Sequence, residues 1–368
     1  MGIKEKIGNL FGKKKEAAPA VSAPASAAAA PAAPVKEKIK FAQYWGAACG
    51  GCDVALLDID EKILDVAAIA DIVFWPIAVD GKKKDVEAME DGEITICLYN
   101  GAVRNSENLE MAKLLRQKSK ILVAFGSCSA FGGIPGLANV SNREEILDYV
   151  YKQIPSMDNP DGVVPQTELE TEYGVLDLPV LFDTVNTLDQ VVDVDYYVPG
   201  CPPMLGTIET MLEVVTNHVV NGAPLPPKGT VIASDKTLCD ECPRVKEYKR
   251  IDKIYLPHEV DIDPEKCLLD QGIVCLGPAT RAGCGARCTR VGQPCRGCYG
   301  PTAAVQESGA SMLSALASLF RISDKETQLS EDDILNIMSQ VKDPLGYFYA
   351  FTMPQSLIRR TVKEKRRS

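Results

Sequence analysis

The sequence of 368 residues contains only two histidines and no apolar run long enough to cross a membrane. A membrane-spanning helix needs about 20 apolar residues in succession, so we expect no transmembrane segment. The N-terminus has neither the apolar stretch of a secretory signal nor a twin-arginine pair, which predicts a cytoplasmic protein. Basic residues are also in the minority, and the net charge of −10 predicts no nucleic-acid partner.

Cysteine, in contrast, is abundant, with 13 copies in the chain. Thiols stay reduced in the cytoplasm, where cysteine-rich proteins more often bind metal than form disulfides. The odd number also fits a disulfide framework poorly. His218 lies in a helical pattern and His258 in a Leu-Pro-His-Glu-Val stretch, so neither is spaced as a ligand beside another histidine. We therefore expect thiolates to be the metal ligands and both histidines to be structural or solvent-exposed.

The first 37 residues are predicted to be an N-terminal extension and linker. Residues 17–34 comprise 11 Ala, 4 Pro, 2 Ser and 1 Val, a composition typical of a semi-rigid spacer. Residues 1–16 place apolar side chains on one helical face beside several lysines. This segment is either a short helix that docks weakly on a partner or an anionic membrane, or a solvated chain end.

From residue 38 onwards, short apolar strands alternate with helical patterns, which predicts an α/β fold with a doubly wound parallel sheet. Residues 141–192 interrupt this alternation and are predicted to be an insertion. The predicted strands are 38–45, 72–75, 94–98, 121–125 and 196–198, and the predicted helices are 55–67, 109–115 and 204–220.

Four cysteines follow three of the predicted strands. Cys49 and Cys52 come after the first strand, Cys128 after strand 121–125, and Cys201 after strand 196–198. Open α/β sheets build ligand sites at the carboxyl ends of their strands, so these four thiols are expected to converge. A lone C-x2-C pair would also suit a redox pair or half a zinc site, but four converging thiolates favour an iron–sulfur cluster. Cys97 lies inside a strand and is predicted to be a buried apolar residue.

Eight further cysteines occupy residues 239–298, where no helical or strand periodicity persists. Eight ligands divide into two sites of four, which suits two zinc ribbons or two iron–sulfur clusters. Because this segment is irregular, we expect metal rather than an apolar core to hold it together. The spacing is Cys239-x2-Cys242-x24-Cys267-x7-Cys275-x8-Cys284-x3-Cys288-x6-Cys295-x2-Cys298.

The motifs WGAACGGC, GSCSAFGGIPG, PGCPP, CDECP and CLLDQGIVCLGPATRAGCGARC resemble those of the small, electron-transferring subunit of NiFe hydrogenases. The resemblance is strongest to the cytoplasmic methyl-viologen-reducing type, which associates with heterodisulfide reductase, and it covers about residues 38–358. It implies a flavodoxin-like domain over 38–229, followed by an irregular iron–sulfur-cluster domain with a helical tail over 230–368. It also implies a role in passing electrons, with no catalytic residue in this chain.

The resemblance further implies three 4Fe-4S clusters in this chain and a NiFe centre in a separate large subunit. A small iron–sulfur adaptor subunit and heterodisulfide reductase-type subunits are the further partners that it implies. The implied ligands are Cys49, Cys52, Cys128 and Cys201 for the proximal cluster, Cys239, Cys242, Cys267 and Cys275 for the distal cluster, and Cys284, Cys288, Cys295 and Cys298 for the medial cluster.

Three positions depart from the pattern of the exported enzymes. Cys239 stands where their distal cluster has a histidine, and Cys288 adds a fourth thiolate to a medial cluster that is often 3Fe-4S. Full thiolate ligation predicts lower potentials, which suits a low-potential acceptor. Ala48 replaces a glutamate used in proton transfer, so that route must differ here.

Three other functions compete with the hydrogenase interpretation. A complex-I-like quinone reductase subunit would share the sheet, but its cysteines are adjacent, whereas Gly50 and Gly51 separate Cys49 from Cys52. A zinc-ribbon interaction protein would have no redox activity. A homologue whose large partner has lost nickel would serve another oxidoreductase.

Overall fold

The computed structural model describes residues 38–247, 250–305, 307–320 and 339–360, together with residues 330, 332, 335 and 336. Its strands are Ile39–Trp45 (β1), Ala70–Phe74 (β2), Ile94–Asn100 (β3), Val103–Asn105 (β4), Ser119–Phe125 (β5), Glu168–Thr171 (β6), Gly174–Asp177 (β7), Leu181–Asn186 (β8), Tyr196–Val198 (β9) and Thr230–Val231 (β10). Six of them form a central sheet with the order β10-β9-β5-β3-β1-β2, in which every neighbouring pair is parallel. This confirms the predicted doubly wound α/β fold.

Both faces of the sheet are covered, as the apolar sequences of its central strands require. Ile96 and Leu98 of β3 pack into one buried cluster, while Ile94 and Cys97 pack into another. Cys97 is fully buried, and this burial raises the pKa of its thiol to about 12. Its predicted role as a small buried apolar residue is therefore confirmed.

Helices flank the sheet on both sides. The prediction of one continuous helix over residues 55–67 is wrong. The stretch 55–67 divides at Asp60, whose φ of 53° lies in the left-handed region and interrupts the helical backbone. The helices are Gly51–Leu57 (α1), Ile63–Ile69 (α2), Lys83–Glu87 (α3), Ser106–Lys118 (α4), Ser127–Phe131 (α5), Arg143–Asp148 (α6), Leu205–Asn221 (α7), Arg287–Arg290 (α8), Ser308–Leu319 (α9) and Pro344–Phe348 (α10).

The predicted insertion lies outside the six-stranded sheet. It contains α6, the antiparallel hairpin of β6 and β7, and β8, which pairs antiparallel with β4. Because β4 follows the carboxyl end of β3, this pairing anchors the insertion beside the edge of the sheet where the strand-end cysteines lie.

The C-terminal region is irregular, as predicted, but the expectation that metal replaces an apolar core is wrong. Short turns supply buried side chains such as Leu268, Ile273 and Leu276, and these pack with Met312 and Leu316 of α9. The contributing residues are scattered over several turns without a regular period, which is why the sequence pattern does not reveal this core.

The last described segment returns to the sheet domain. The Gly133 amide donates to the Phe351 carbonyl over 3.1 Å, and the Gln190 side chain donates to the Pro354 carbonyl over 2.7 Å. Residues 1–37, including the proposed docking segment 1–16, lie outside the described residues. Within the described ranges, no helix combines the length and apolarity that crossing a membrane requires.

Asp195 anchors β5 to the loop before β9 and gives a test of the fold. Its carboxylate accepts from the Leu122 amide over 2.8 Å and pairs with Arg116 at 2.6 Å and Lys228 at 2.5 Å. Burial raises the pKa of Asp195, but hydrogen bonds from Arg116, Lys228 and the Leu122 amide outweigh burial and hold it below its ordinary value. Asp195 therefore contributes stability that is present near neutral pH and is lost as the pH falls through this lowered pKa.

We predict that Asp195→Asn lowers the free energy of unfolding at pH 7 by about 3 kcal/mol, because the Leu122 amide and the Arg116 guanidinium lose a buried charged acceptor. Denaturant titration of the full chain measures this change, and the difference from wild type should shrink below about pH 4. The matched control is Lys228→Met, which should cost far less because the Lys228 side chain is 79% exposed. An equal loss in both variants would contradict the assignment.

Candidate metal centres

The four strand-end cysteines meet at the carboxyl edge of the sheet. Cys49 and Cys52 lie where β1 passes into α1, Cys128 lies in α5 directly after β5, and Cys201 follows β9. Burial raises the pKa of the Cys52 thiol, and the charges of Cys128, Cys201 and Cys49 raise it further. The four thiols are therefore electrostatic neighbours, as the sequence predicts.

Two glycines let the backbone approach these thiols closely. A Cβ atom at Gly126 would overlap the Cys52 sulfur, and one at Gly133 would overlap the Cys128 sulfur. Both residues also have φ values in the left-handed region, which disfavours any other residue type. The Gly51 amide donates to Cys49 Sγ over 3.4 Å. Close backbone and amide donors directed at sulfur are what an iron–sulfur cluster needs around its thiolates.

A second group of four cysteines lines a cavity in the C-terminal region. Burial raises the pKa of Cys239 to about 12, and the charges of Cys275, Cys267 and Cys242 contribute to that rise. Leu238, Leu268 and Leu269 also line this cavity. The structure therefore brings together the four residues that the sequence analysis assigns to the distal site.

The remaining four cysteines lie between these two groups. Burial raises the pKa of Cys298 to about 12, with further contributions from the charges of Cys284, Cys201 and Cys288. Burial also raises the pKa of Cys295 well above its ordinary value, and the charges of Cys275 and Cys298 add to this rise. Cys295 thus lies beside both a medial and a distal thiol.

The three groups adjoin at two places. Burial raises the pKa of Cys298 and the charge of Cys201 raises it further, which makes the proximal and medial groups electrostatic neighbours. The Cys295 amide donates to Cys275 Sγ over 3.3 Å, which connects the medial group to the distal group. The 12 cysteines therefore form a continuous series of three sets, an order that spacing alone does not reveal.

The donor sets suit iron–sulfur clusters, whose usual protein ligands are cysteine thiolates. In the described part of the chain, no group of three or more His, Cys, Asp or Glu side chains is placed to hold one metal ion. A 4Fe-4S cluster distributes its four thiolates over four iron atoms, so its ligands need not converge on one point. Buried thiols with raised pKa values become thiolates only when a metal compensates their charge. These sets are therefore suited to receive clusters of that size.

The two histidines stay apart from this chemistry. His218 lies near the end of α7, where its Nδ1 is 2.7 Å from the Ala223 carbonyl oxygen. His258 is exposed in a turn. The structural and solvent-exposed roles predicted for them are confirmed.

Sequence reasoning missed two buried charged residues beside the thiols. Asp53 directly follows Cys52 and is fully buried, while Arg244 lines the distal cavity and is 8% exposed. Their positions next to cysteine motifs were visible in the sequence, but charged residues are usually exposed, so nothing in the pattern signalled their burial.

Comparison with known proteins identifies the family of this chain. Residues 49–215 match the family of the NADH ubiquinone oxidoreductase 20 Kd subunit. The chain is 42% identical over 304 residues to the iron-sulfur subunit of the F420-non-reducing hydrogenase of Archaeoglobus profundus, covering 79% of this chain and 91% of that protein. It is 35% identical over 333 residues to the corresponding F420-non-reducing hydrogenase subunit of Methanothermobacter marburgensis, covering 89% of this chain and 99% of that protein.

Among solved structures, an NAD+-reducing [NiFe]-hydrogenase chain in the H2-reduced state is similar, with 32% identity and a TM-score of 0.43 over 51% of this chain and 96% of that one. Family membership follows from the two archaeal relatives, because both align along most of their own length and of this chain. The protein therefore belongs to the family of F420-non-reducing hydrogenase iron–sulfur subunits, the electron-transferring small subunits of NiFe hydrogenases.

Proposed function

We propose that the chain carries three 4Fe-4S clusters and conducts electrons between the NiFe centre of a separate large subunit and a cytosolic acceptor. The observation that carries this proposal is the series of three four-thiol sets joined at Cys201–Cys298 and Cys275–Cys295. The ligand sets are those of the sequence analysis: Cys49, Cys52, Cys128 and Cys201; Cys284, Cys288, Cys295 and Cys298; Cys239, Cys242, Cys267 and Cys275.

When bound, the clusters supply one-electron oxidation and reduction, and the protein's own groups place and tune them. Backbone amides hold the thiols in position, as Gly51 does for Cys49 and Cys295 does for Cys275. Such N–H donors stabilise the more negative, reduced state of a cluster. Buried apolar side chains such as Leu238 and Leu268 shield the inner side of the distal set from water.

The proximal edge is the proposed contact with the large subunit. Cys49 is exposed there, and Trp45, Val54 and Leu57 are each at least 41% exposed around it. Large apolar side chains grouped at one surface favour a protein interface. A hydrogenase large subunit seated on this edge would bring its metal centre next to the proximal set. The Ala48 backbone carbonyl accepts from the Trp45 indole over 3.0 Å, and no carboxylate stands at position 48 to carry protons.

The acceptor is proposed at the distal end, supplied by a small iron–sulfur adaptor and heterodisulfide reductase-type subunits in the cytoplasm. This assignment rests on the family resemblance and on the position of the distal set at the far end of the series. Cys239 is exposed, so a partner's cluster has access to this end.

Metal content is the first test. We predict that the protein, purified without oxygen, contains about 12 iron atoms per chain and shows broad visible absorption, as three 4Fe-4S clusters require. Elemental analysis together with the absorption spectrum measures both. A colourless protein containing zinc would reject the proposal in favour of a zinc-ribbon interaction protein.

Cys288 supplies the second test, because it is the exposed member of the medial set. We predict that Cys288→Pro removes one iron from the medial cluster and leaves a 3Fe-4S form that electron paramagnetic resonance detects. The control is Cys97→Ala, which removes a thiol buried in the sheet and should leave the iron content and the spectrum unchanged. An unaltered spectrum in Cys288→Pro would exclude Cys288 as a ligand.

A second candidate function is that of a quinone reductase subunit, which the match of residues 49–215 favours. That match ends before the eight C-terminal cysteines. Co-purification decides between the two: a large subunit that contains nickel supports the hydrogenase, and a large subunit without nickel supports another oxidoreductase.

A further inference from the structure

A carboxylate is buried beside the proximal set without a cation. Asp53 follows Cys52 in α1 and has no exposed surface. Its Oδ1 accepts from the Gln43 amide over 2.6 Å and from the Trp75 indole over 3.0 Å, and its Oδ2 accepts from the Asn100 amide. All three donors are neutral, and none of the ion pairs found in the described residues includes Asp53.

The groups around Asp53 are all arranged as donors to its side-chain oxygens. Gln43 and Asn100 both turn their amide nitrogens towards the carboxylate, and their own carbonyl oxygens are buried without a hydrogen-bond partner in the described structure. An ionised carboxylate only accepts hydrogen bonds, and all three of these contacts are N–H donors. Burial raises the pKa of Cys52, the neighbouring thiols raise it further, and the charge of Asp53 adds to this rise. The negative charge therefore acts directly on a proximal ligand.

The distal end has a buried charge of the opposite sign. The Arg244 guanidinium lines the cavity of the distal cysteines and donates to the carbonyl oxygens of Thr289, Asp263 and Lys266 over 2.7, 2.7 and 3.0 Å. These acceptors are all neutral backbone groups, and no carboxylate pairs with Arg244 in the part of the chain that the structure describes. A buried guanidinium without a counter-charge leaves a net positive field in the cavity.

Two other charges act on the distal thiols and oppose each other. Burial raises the pKa of Cys267, Asp270 adds to that rise, and Lys246 lowers it. Asp270 and Lys246 have opposite signs and act on the same thiol, so their fields partly cancel there.

We propose that Asp53 and Arg244 bias the direction of electron flow, by lowering the reduction potential of the proximal cluster and raising that of the distal cluster. This inference rests on the proposed three-cluster function. An added electron is repelled by the buried carboxylate and attracted by the buried guanidinium, and the low-dielectric interior strengthens both effects. Both charges therefore make electron transfer from the proximal end to the distal end more favourable, which favours oxidation of dihydrogen over its production.

The test is a redox titration of the intact complex, followed by electron paramagnetic resonance, with Asp53→Asn and Arg244→Gln. Asp53→Asn should raise the proximal potential, and Arg244→Gln should lower the distal potential. Each variant should leave the cluster at the other end unchanged. We expect at least a tenfold change in the equilibrium constant for one-electron reduction, which corresponds to about 59 mV. The ratio of dihydrogen oxidation to production should fall in both variants.

Matched controls separate charge from packing. Asp58→Asn removes an exposed charge just after α1 and should not shift the proximal potential. Arg244→Lys keeps the positive charge and should restore most of the distal potential that Arg244→Gln loses. If Asp53→Asn fails to assemble with its clusters, Arg244→Gln and Arg244→Lys decide the question at the distal end.

Unchanged potentials in variants that retain all their iron would overturn this inference while leaving the proposed function intact. An equal loss of potential in Arg244→Lys and Arg244→Gln would also overturn it, because the effect would then come from packing. A wild-type complex without three reducible clusters would instead reject the proposed function itself.

Discussion

The arrangement of all three cysteine sets depends on one contact, where residues 298–300 of the C-terminal region pack onto the sheet domain. The Ser127 hydroxyl donates to the Cys298 carbonyl, and the Tyr299 hydroxyl accepts from the Met204 amide over 2.9 Å. Phe131 packs so closely on Gly300 that no other side chain would fit there. The segment that carries Cys298 is therefore held against the loop that carries Cys201, and the medial set takes its place next to the proximal one.

The burial of the cysteine thiols is a second constraint on the three sets. Nine of the 12 cysteines in these sets have pKa values that burial raises above those of free thiols, among them Cys52, Cys128, Cys239 and Cys275. Four thiolates confined in such a site repel one another, and cationic iron removes this repulsion. Folding of the C-terminal region and cluster binding are therefore linked, although the apolar cluster around Leu268 and Ile273 also stabilises that region.

The convergence of the proximal cysteines could be predicted from the sequence because these residues follow the ends of parallel strands. Cys49, Cys128 and Cys201 converge because parallel strands place their carboxyl ends at one edge, and that rule needs only the strand positions. It could not predict the core around Leu268, because irregular turns bring its members together without a period. The burial of Asp53 could not be predicted from the sequence either. It depends on Gln43, Trp75 and Asn100, which come from three separate strands or strand ends.

The return of the last described segment onto the loop after Cys128 has a consequence for biosynthesis. Pro354 fills the space beside Gly132 and Gly136, and Phe351 accepts a hydrogen bond from Gly133. During synthesis, residues 351–360 leave the ribosome long after Cys128 and Cys201. Until then, the wall of the proximal site is incomplete on this side, so the loop after Cys128 reaches its final packing only once residues 351–360 have been made.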